Sequence, residues 1–200
     1  VIPDGVSRST VIIRPHPVYV DHAKGAWITD VDGNRYLDCN NNFTSIILGH
    51  ADPEIEAAVH SQLAKGTAFS MASEAEIQLA ELLCERVAGC EQIRFCNSGT
   101  EAVMGAIKAA RAFTQRPTII KVEGSYHGTY DHAEASLGSD PSNWGLAHRP
   151  TTIPYSEGAP DSLADEVVIV QFNDVAGVTE AIQTVGSGLA AVLLDPMPSR

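Results

Sequence analysis

Three short stretches of this 200-residue chain carry residue types able to do chemistry. The first is Ser98-Gly99-Thr100, followed by Glu101 and by Val103, Ala106, Ile107 and Ala110 at helical spacing. A helix opening there exposes unpaired main-chain N–H groups and the positive end of its dipole. Glycine lets a ligand come close and the hydroxyls add donors, so the stretch can hold a phosphate without a lysine. The same letters also form a plain capping box, Ser98 with Glu101 three residues on, which needs no ligand. The second stretch is Gly124-Ser125-Tyr126-His127-Gly128, just after an apolar run that ends at Val122. Parallel sheets bind ligands beyond the carboxyl ends of their strands. Tyr126 could stack there on a flat ligand with His127 touching it; a glycine-rich turn with a packed tyrosine is the alternative. The third is Asp195-Pro196, after the run Ala190–Leu194. It is a polar group at a second strand's carboxyl end, or a solvated loop acid.

Other chemistries find no support in the letters. Neither G-x-G-x-x-G nor G-x-x-x-x-G-K-[ST] occurs, so the ligand is not an obvious dinucleotide or nucleoside triphosphate. Without G-x-S-x-G no Ser-His-Asp arrangement can be argued. Cys39, Cys84, Cys90 and Cys96 contain no C-x-x-C pair, and His50, His132 and His148 lack metal-ligand spacing with an acid, so no metal is expected. Those histidines read as packing or surface residues. The acids around Asp32-Gly33 faintly resemble a calcium loop, but the glycine comes too early and no ligand glutamate closes it. With 25 acidic against 13 basic residues the net charge is −12, which argues against nucleic acid and anionic membranes as partners. No apolar run reaches the roughly 20 residues of a membrane span. No basic-then-apolar leader is present, although a chain that starts at Val1 leaves a removed leader open. Four cysteines in a core-forming chain read as reduced, mostly buried and intracellular, hence a cytoplasmic protein.

These residues need elements to hold them. Val1 to Tyr19, with Pro3, Pro15 and Pro17, reads as an extended arm, and two β-rich runs around Asp32-Gly33 make a hairpin. Asp52-Pro53 starts a helix with Ile55, Ala58, Val59 and Leu63 on one face. Ser73 and Glu76 open another, striped by Ile77, Ala80, Cys84 and Val87 and stopped by Gly89. Strands follow at Gln92–Cys96, Thr118–Val122, Val167–Phe172 and Ala190–Leu194, with helices from Ser98 and over Asp174–Thr184 between them. Gly138 to Pro160 is a long proline-bearing loop. Strand–helix alternation with continuously apolar strands means an α/β fold, a mostly parallel sheet covered on both faces.

Taken together, the pieces resemble the class III aminotransferases, the fold-type I pyridoxal-phosphate enzymes, in the branch of glutamate-1-semialdehyde aminomutase and β-amino-acid aminotransferases. The carrying residues are Gly33–Asp38, Leu48-Gly49-His50, Arg94–Ala102 with Ala109-Ala110-Arg111, Gly124–Gly128 and Asp195-Pro196-Met197. The resemblance implies that Ser98, Gly99 and Thr100 cradle the phosphate of pyridoxal 5′-phosphate. It implies that Tyr126 stacks on its ring with His127 beside it, and it puts Asp195 where the family usually has Glu. Phe43 matches an aromatic position of the aminomutase substrate pocket. Arg8 resembles the arginine that binds the substrate carboxylate in β-amino-acid aminotransferases, a task suited to its forked guanidinium. The family's Schiff-base lysine and its pyridinium-pairing acid have no match here, and Lys24, Lys65, Lys108 and Lys121 all lie in other contexts. The expectation is therefore the N-terminal half of a longer enzyme. In it residues 1–50 form an arm and hairpin of the small domain, and 51–200 begin the large cofactor domain. The implied activity is amino-group transfer between an amino acid bearing a carboxylate, a β-amino acid among the candidates, and a keto acid or aldehyde. Intramolecular amino shift is the alternative, and a homodimer is implied. A non-catalytic phosphate-ligand binder is the reading if 200 residues are the whole product.

Overall fold

The computed structural model describes residues 1–197, which group into two compact units, Val1–Val87 and the chain from Ala88 onward.

In the first unit β1 (Val20–Lys24), β2 (Trp27–Asp30) and β3 (Arg35–Leu37) form an antiparallel sheet in that order. The expected hairpin joins β2 to β3, and its turn is organised by one carboxylate. Asp30 accepts from the amides of Asp32 (3.0 Å) and Asn34 (2.8 Å), from Asn34 Nδ2 (2.9 Å) and from the Tyr36 hydroxyl (2.9 Å). The Asn34 side chain leads these donors in holding the Asp30 carboxyl below the ordinary carboxylate range. Strand β1 was not foreseen; it takes up the stretch directly after the proline-bearing arm.

Three helical elements follow: α1 (Asn41–Thr44), a single turn, then α2 (Pro53–Leu63) and α3 (Glu74–Arg86). The two longer ones begin where their caps predict. The Asp52 carboxylate accepts from the amides of Glu54 and Ile55, and the Ser73 hydroxyl from that of Glu76. Two expectations are corrected here. Helix α3 stops at Arg86, ahead of Gly89, because Val87 already has extended dihedrals. The apolar stripes are not buried: Ile55, Val59, Leu63 and Ile77 each keep half of their surface. The cysteines also differ from expectation, since Cys39 and Cys96 lie in exposed loops and only Cys84 and Cys90 are half-buried.

The second unit runs α4 (Gly99–Thr114), β4 (Thr118–Val122), α5 (Asp131–Glu134), β5 (Gly145–Leu146), β6 (Arg149–Pro150), α6 (Leu163–Glu166), β7 (Val167–Val170), α7 (Val175–Val185) and β8 (Leu189–Leu193). Strands β7, β4 and β8 pair in that order, all parallel, which is the α/β arrangement the apolar runs predict. All five residues of the central β4 are buried. On one face Ile119 packs with Ile107 of α4, Leu163 and Ile169. On the other Ile120 and Val122 meet Val170, with Val178 and Ala181 of α7 against them. Each such isoleucine or valine removed from water stabilises the unit by about 1.5–3 kcal/mol. The stretch Gln92–Cys96, read above as a strand, joins no ladder among the described residues. An apolar run becomes a strand only beside a partner for its N–H and C=O groups, and of these five residues only Ile93 is even half-buried.

The long loop is pinned under the carboxyl end of β4 by Ser136. Its amide donates to Ile153 O (2.7 Å) and its hydroxyl to Thr151 O (3.0 Å), while its carbonyl accepts from Gly124 N (2.9 Å). A half-buried carboxylate ties three helices: Glu166 Oε2 accepts from Arg111 Nη2 (3.0 Å) and His132 Nε2 (2.8 Å), linking α6 to α4 and α5. The His132 bond, ahead of the Arg111 charge, holds the Glu166 carboxyl below the ordinary range. A depressed carboxyl contributes stability that is present above its unfolded value, roughly pH 4.3, and is lost as pH falls through the folded one. Glu166→Gln should therefore lower stability by about 1–2 kcal/mol at pH 7. Urea midpoints measured at pH 7 and pH 3 should show the wild-type advantage vanish in acid; an equal gap at both would disprove the network's role.

Candidate functional site

Ser98 caps helix α4 as the sequence reading expects, and the glutamate of the box reaches one residue further back, to the amide before the cap. Ser98 Oγ accepts from Glu101 N (3.2 Å), and the Glu101 carboxylate reaches back to the amide of Asn97 (2.7 Å). These bonds use one lone pair of Ser98 Oγ and the Glu101 carboxylate but leave the Ser98 hydroxyl proton unassigned and the amides of Gly99 and Thr100 without a protein acceptor among the described residues. The two readings of the stretch thus coexist, since capping uses one set of atoms and leaves another open.

Thr100 is oriented by the loop after β4. Its Oγ1 accepts from Thr129 N (3.1 Å), which engages a lone pair and leaves the hydroxyl proton to donate elsewhere. Gly128 lies against the same residue. A Cβ added to it would come within 2.6 Å of Thr100 Oγ1 and 2.7 Å of its Cα, and its φ of +92° is left-handed. Between Gly124 and Gly128, Tyr126 presents a ring with half of its surface free. His127 is half-buried, and its Nε2 is buried with no partner among the described residues. Free amides, an outward hydroxyl, an open aromatic face and an orphaned ring nitrogen on one short loop system fit a phosphate joined to a flat polar ring.

Sequence reasoning passed over Lys121 as a strand residue. Its side chain is wholly buried in β4, with Nζ donating to Val122 O (3.1 Å). Burial lowers its pKa to about 8, and the Glu123 charge opposes the fall. His127 is shifted down by burial first and then by the Lys121 charge, while Asp195 pushes it up. His127 therefore senses both the Lys121 ammonium in β4 and the Asp195 carboxylate after β8. The signal was an ionisable letter inside Thr-Ile-Ile-Lys-Val, where a fully buried strand has no solvated side to put it on. Asp195 itself is half-buried and accepts from Met197 N (2.9 Å).

In the first unit Arg8 and Phe43, far apart in sequence, come together. The guanidinium lies 5.5 Å from the Phe43 ring centroid, and Nη1 donates to Asn42 Oδ1 (2.8 Å). Phe43 keeps half of its surface free. The turn that carries Phe43 is anchored at its start by Asp38, whose carboxylate accepts from the amides of Asn40 (3.0 Å) and Asn41 (2.8 Å) and from His50 Nε2 (2.7 Å). The His50 bond first, then the Asn41 amide, lowers the Asp38 pKa. His50 is fixed in turn by paired main-chain bonds with Gly25 (2.8 and 2.9 Å). Gly49, at φ +88°, permits that approach, since a Cβ there would stand 3.2 Å from the Gly25 backbone. His50 was read as a packing or surface residue; its contact shows it holding the Asp38 carboxylate.

The buried lysine makes a stability prediction. Its lowered pKa means that the unfolded chain binds the extra proton between pH 8 and 10.5, so wild-type stability should rise with pH across that window. Lys121→Met should raise stability by about 2–3 kcal/mol at pH 7 and abolish the rise. Thermal midpoints at pH 7 and pH 10 that do not differ between the two proteins would refute the buried charge.

The aminotransferase class-III family profile matches residues 10–200. A glutamate-1-semialdehyde 2,1-aminomutase of Listeria innocua is 42% identical, covering 98% of this chain and 45% of its own length. An omega-transaminase from Sphaerobacter thermophilus superposes with a TM-score of 0.95 at 52% identity, over 99% of this chain and 45% of that one. A β-phenylalanine aminotransferase from Variovorax paradoxus gives 0.79 at 33% identity, over 98% and 41%. The chain spans about half the length of the curated relatives it matches. The profile match over nearly all of its residues, on a fold shared with these transaminases, makes the chain a member of the class-III aminotransferase family.

Proposed function

We propose that this chain is part of an enzyme that moves amino groups with pyridoxal 5′-phosphate as carrier. When bound, the cofactor supplies the electron sink for loss of a proton from the substrate carbon. The amides of Gly99 and Thr100 and the hydroxyls of Ser98 and Thr100 receive its phosphate; Tyr126 stacks on its ring, and His127 and Asp195 stand beside it. The observation that carries this reading is the Thr100 hydroxyl, aligned by Thr129 N so that its proton is free for an anion. Lys121 does not serve as the attacking amine, because its Nζ is buried on the Val122 carbonyl.

Arg8 takes the carboxylate of the amino acid, and Phe43 offers an apolar face beside that charge. An arginine paired to a neutral amide keeps its full charge for a carboxylate, which favours a carboxylate-bearing substrate, and the 33% identity to a β-phenylalanine aminotransferase supports a β-amino acid as donor and a keto acid or aldehyde as acceptor. Intramolecular amino shift is the second reading, favoured by the 42% identity to an aminomutase. In the whole protein residues 1–50 would belong to the small domain and 51–200 to the large one, and the assembly would be a cytoplasmic homodimer.

Thr100→Ala should weaken cofactor binding by about 1–2 kcal/mol, the worth of one charge-assisted hydrogen bond. Titration of the full-length protein followed by cofactor absorbance measures it, and an unchanged affinity would remove the cradle. Arg8→Ala should raise KM for 3-amino-3-phenylpropanoate at least tenfold, on the order of 1.4 kcal/mol, and leave KM for 1-phenylethylamine as it was. Equal effects on the two amines would take Arg8 out of the site. Amino transfer that stops when the keto acid or aldehyde is withheld supports the first reading, and turnover without any acceptor the second.

A further inference from the structure

The turn α1 is left-handed. Asn41, Asn42, Phe43 and Thr44 have φ of 54°, 48°, 55° and 66°, four consecutive residues without a glycine in a region that crowds every Cβ. Its main-chain bonds still close a helical ring, Thr44 N to Asn40 O (3.3 Å) and Ser45 N to Asn41 O (3.1 Å). Side chains pin it further. Asn40 Oδ1 accepts from Phe43 N (2.8 Å), and the Ser45 hydroxyl donates to Asn42 O (2.9 Å). Strain of this kind persists only where surrounding contacts over-determine it, and it concentrates at functional positions.

What the strained turn places is Asn42. Its amide is engaged at both ends: Nδ2 donates to Ser45 Oγ (2.9 Å) and Oδ1 accepts from Arg8 Nη1 (2.8 Å). The Ser45 bond fixes which end of the amide faces the arginine. The acceptor is neutral, so it orients the guanidinium without cancelling its charge, and it occupies one of five N–H donors. An aspartate would hold the arginine equally well but would occupy it as an ion pair.

We propose that Asn42 is a positioning residue for Arg8: the left-handed turn aims its carboxamide oxygen so that the guanidinium is held ready, still charged, for a substrate carboxylate. This rests on the reading of Arg8 as the carboxylate binder. Phe43, next along the turn, is delivered to the same guanidinium by the same inversion of hand, so charge and apolar face arrive as one unit.

The test uses full-length holoenzyme with three probes: 3-amino-3-phenylpropanoate, 1-phenylethylamine, which lacks the carboxylate, and 3-phenylpropanoate as a binding-only inhibitor. Asn42→Gly keeps access to positive φ but deletes the carboxamide. It should raise KM for the amino acid and Ki for the inhibitor about fivefold to tenfold, with kcat within about twofold and KM for the bare amine unchanged. Asn42→Asp should raise both carboxylate constants further, about 30-fold, because the new charge competes for the arginine. It carries the same comparison where the glycine variant does not accumulate. Arg8→Ala, run in parallel, separates the two failures. If it removes the preference for carboxylates while both Asn42 variants retain it, Asn42 does not position Arg8 and the carboxylate reading stands. If Arg8→Ala itself retains the preference, the carboxylate reading falls, and the role given to Asn42 with it.

Discussion

The contact between Gly128 and Thr100 decides the geometry at the carboxyl end of the sheet. Strand β4 is buried along its whole length, so packing on both faces fixes where Val122 ends. The chain must then return to the start of α4 within a few residues. Gly124, at φ +69°, makes the first turn and hangs its amide on Ser136 O. Gly128 makes the second and lies so near Thr100 that no side chain fits. Thr129 N then locks the threonine hydroxyl. Tyr126 and His127 are strung between these two fixed points. The start of α4 and the exposed Tyr126 ring are therefore set by a single close approach of backbone to side chain. Gly128 is required there for its missing Cβ as well as for its φ.

The first unit solves its positioning problem by other means. Its larger apolar residues remain half exposed, so packing cannot dictate a loop's shape. Polar side chains do so instead. A left-handed conformation costs roughly 1–2 kcal/mol per ordinary residue, less for asparagine, whose short side chain tolerates it. Each side-chain bond inside the turn returns about 0.5–1.5 kcal/mol. These magnitudes nearly cancel, so α1 is held by its whole set of bonds and by no single one. The run Asp38-Cys39-Asn40-Asn41-Asn42 is rich in short polar side chains for this reason: three of them, Asp38, Asn40 and Asn42, accept or donate within the turn or just before it.

How much of this the sequence discloses depends on the range of the interaction. Helix starts are local, and Asp52, Ser73, Ser98 and Asp174 all cap the helices they were expected to open. The β4, β7 and β8 runs were legible because a strand buried on both faces has only apolar letters to use. Gln92–Cys96 has the same look and makes no ladder, since a strand is a property of two segments and the letters describe one. The left-handed turn left no trace because Asn-Asn-Phe-Thr contains no glycine; its conformation is imposed by Asp38, Ser45 and one another. The pairing of Arg8 with Phe43 was equally invisible to spacing. Resemblance placed each near a substrate, and contact across the first unit then joined them.

The charges at the carboxyl end of the sheet bear on how binding and proton transfer are divided. Lys121 keeps a pKa of about 8 despite complete burial, so at pH 7 it is mainly an ammonium held against one carbonyl. It works against stability, and it contributes positive potential from beneath the loop that carries His127. That potential, added to burial, keeps His127 below its ordinary pKa and so neutral, with Asp195 only partly opposing. The start of α4 thus presents a helix dipole and main-chain amides, and β4 with the loop after it a buried cation and an uncharged imidazole with one nitrogen unspent. None of these groups is poised to give up a proton near neutrality except the lysine, and its Nζ points into the backbone of its own strand. On the proposed reading, the second unit holds an anionic ring compound still, and moving protons to and from a substrate falls to a group other than those that bind.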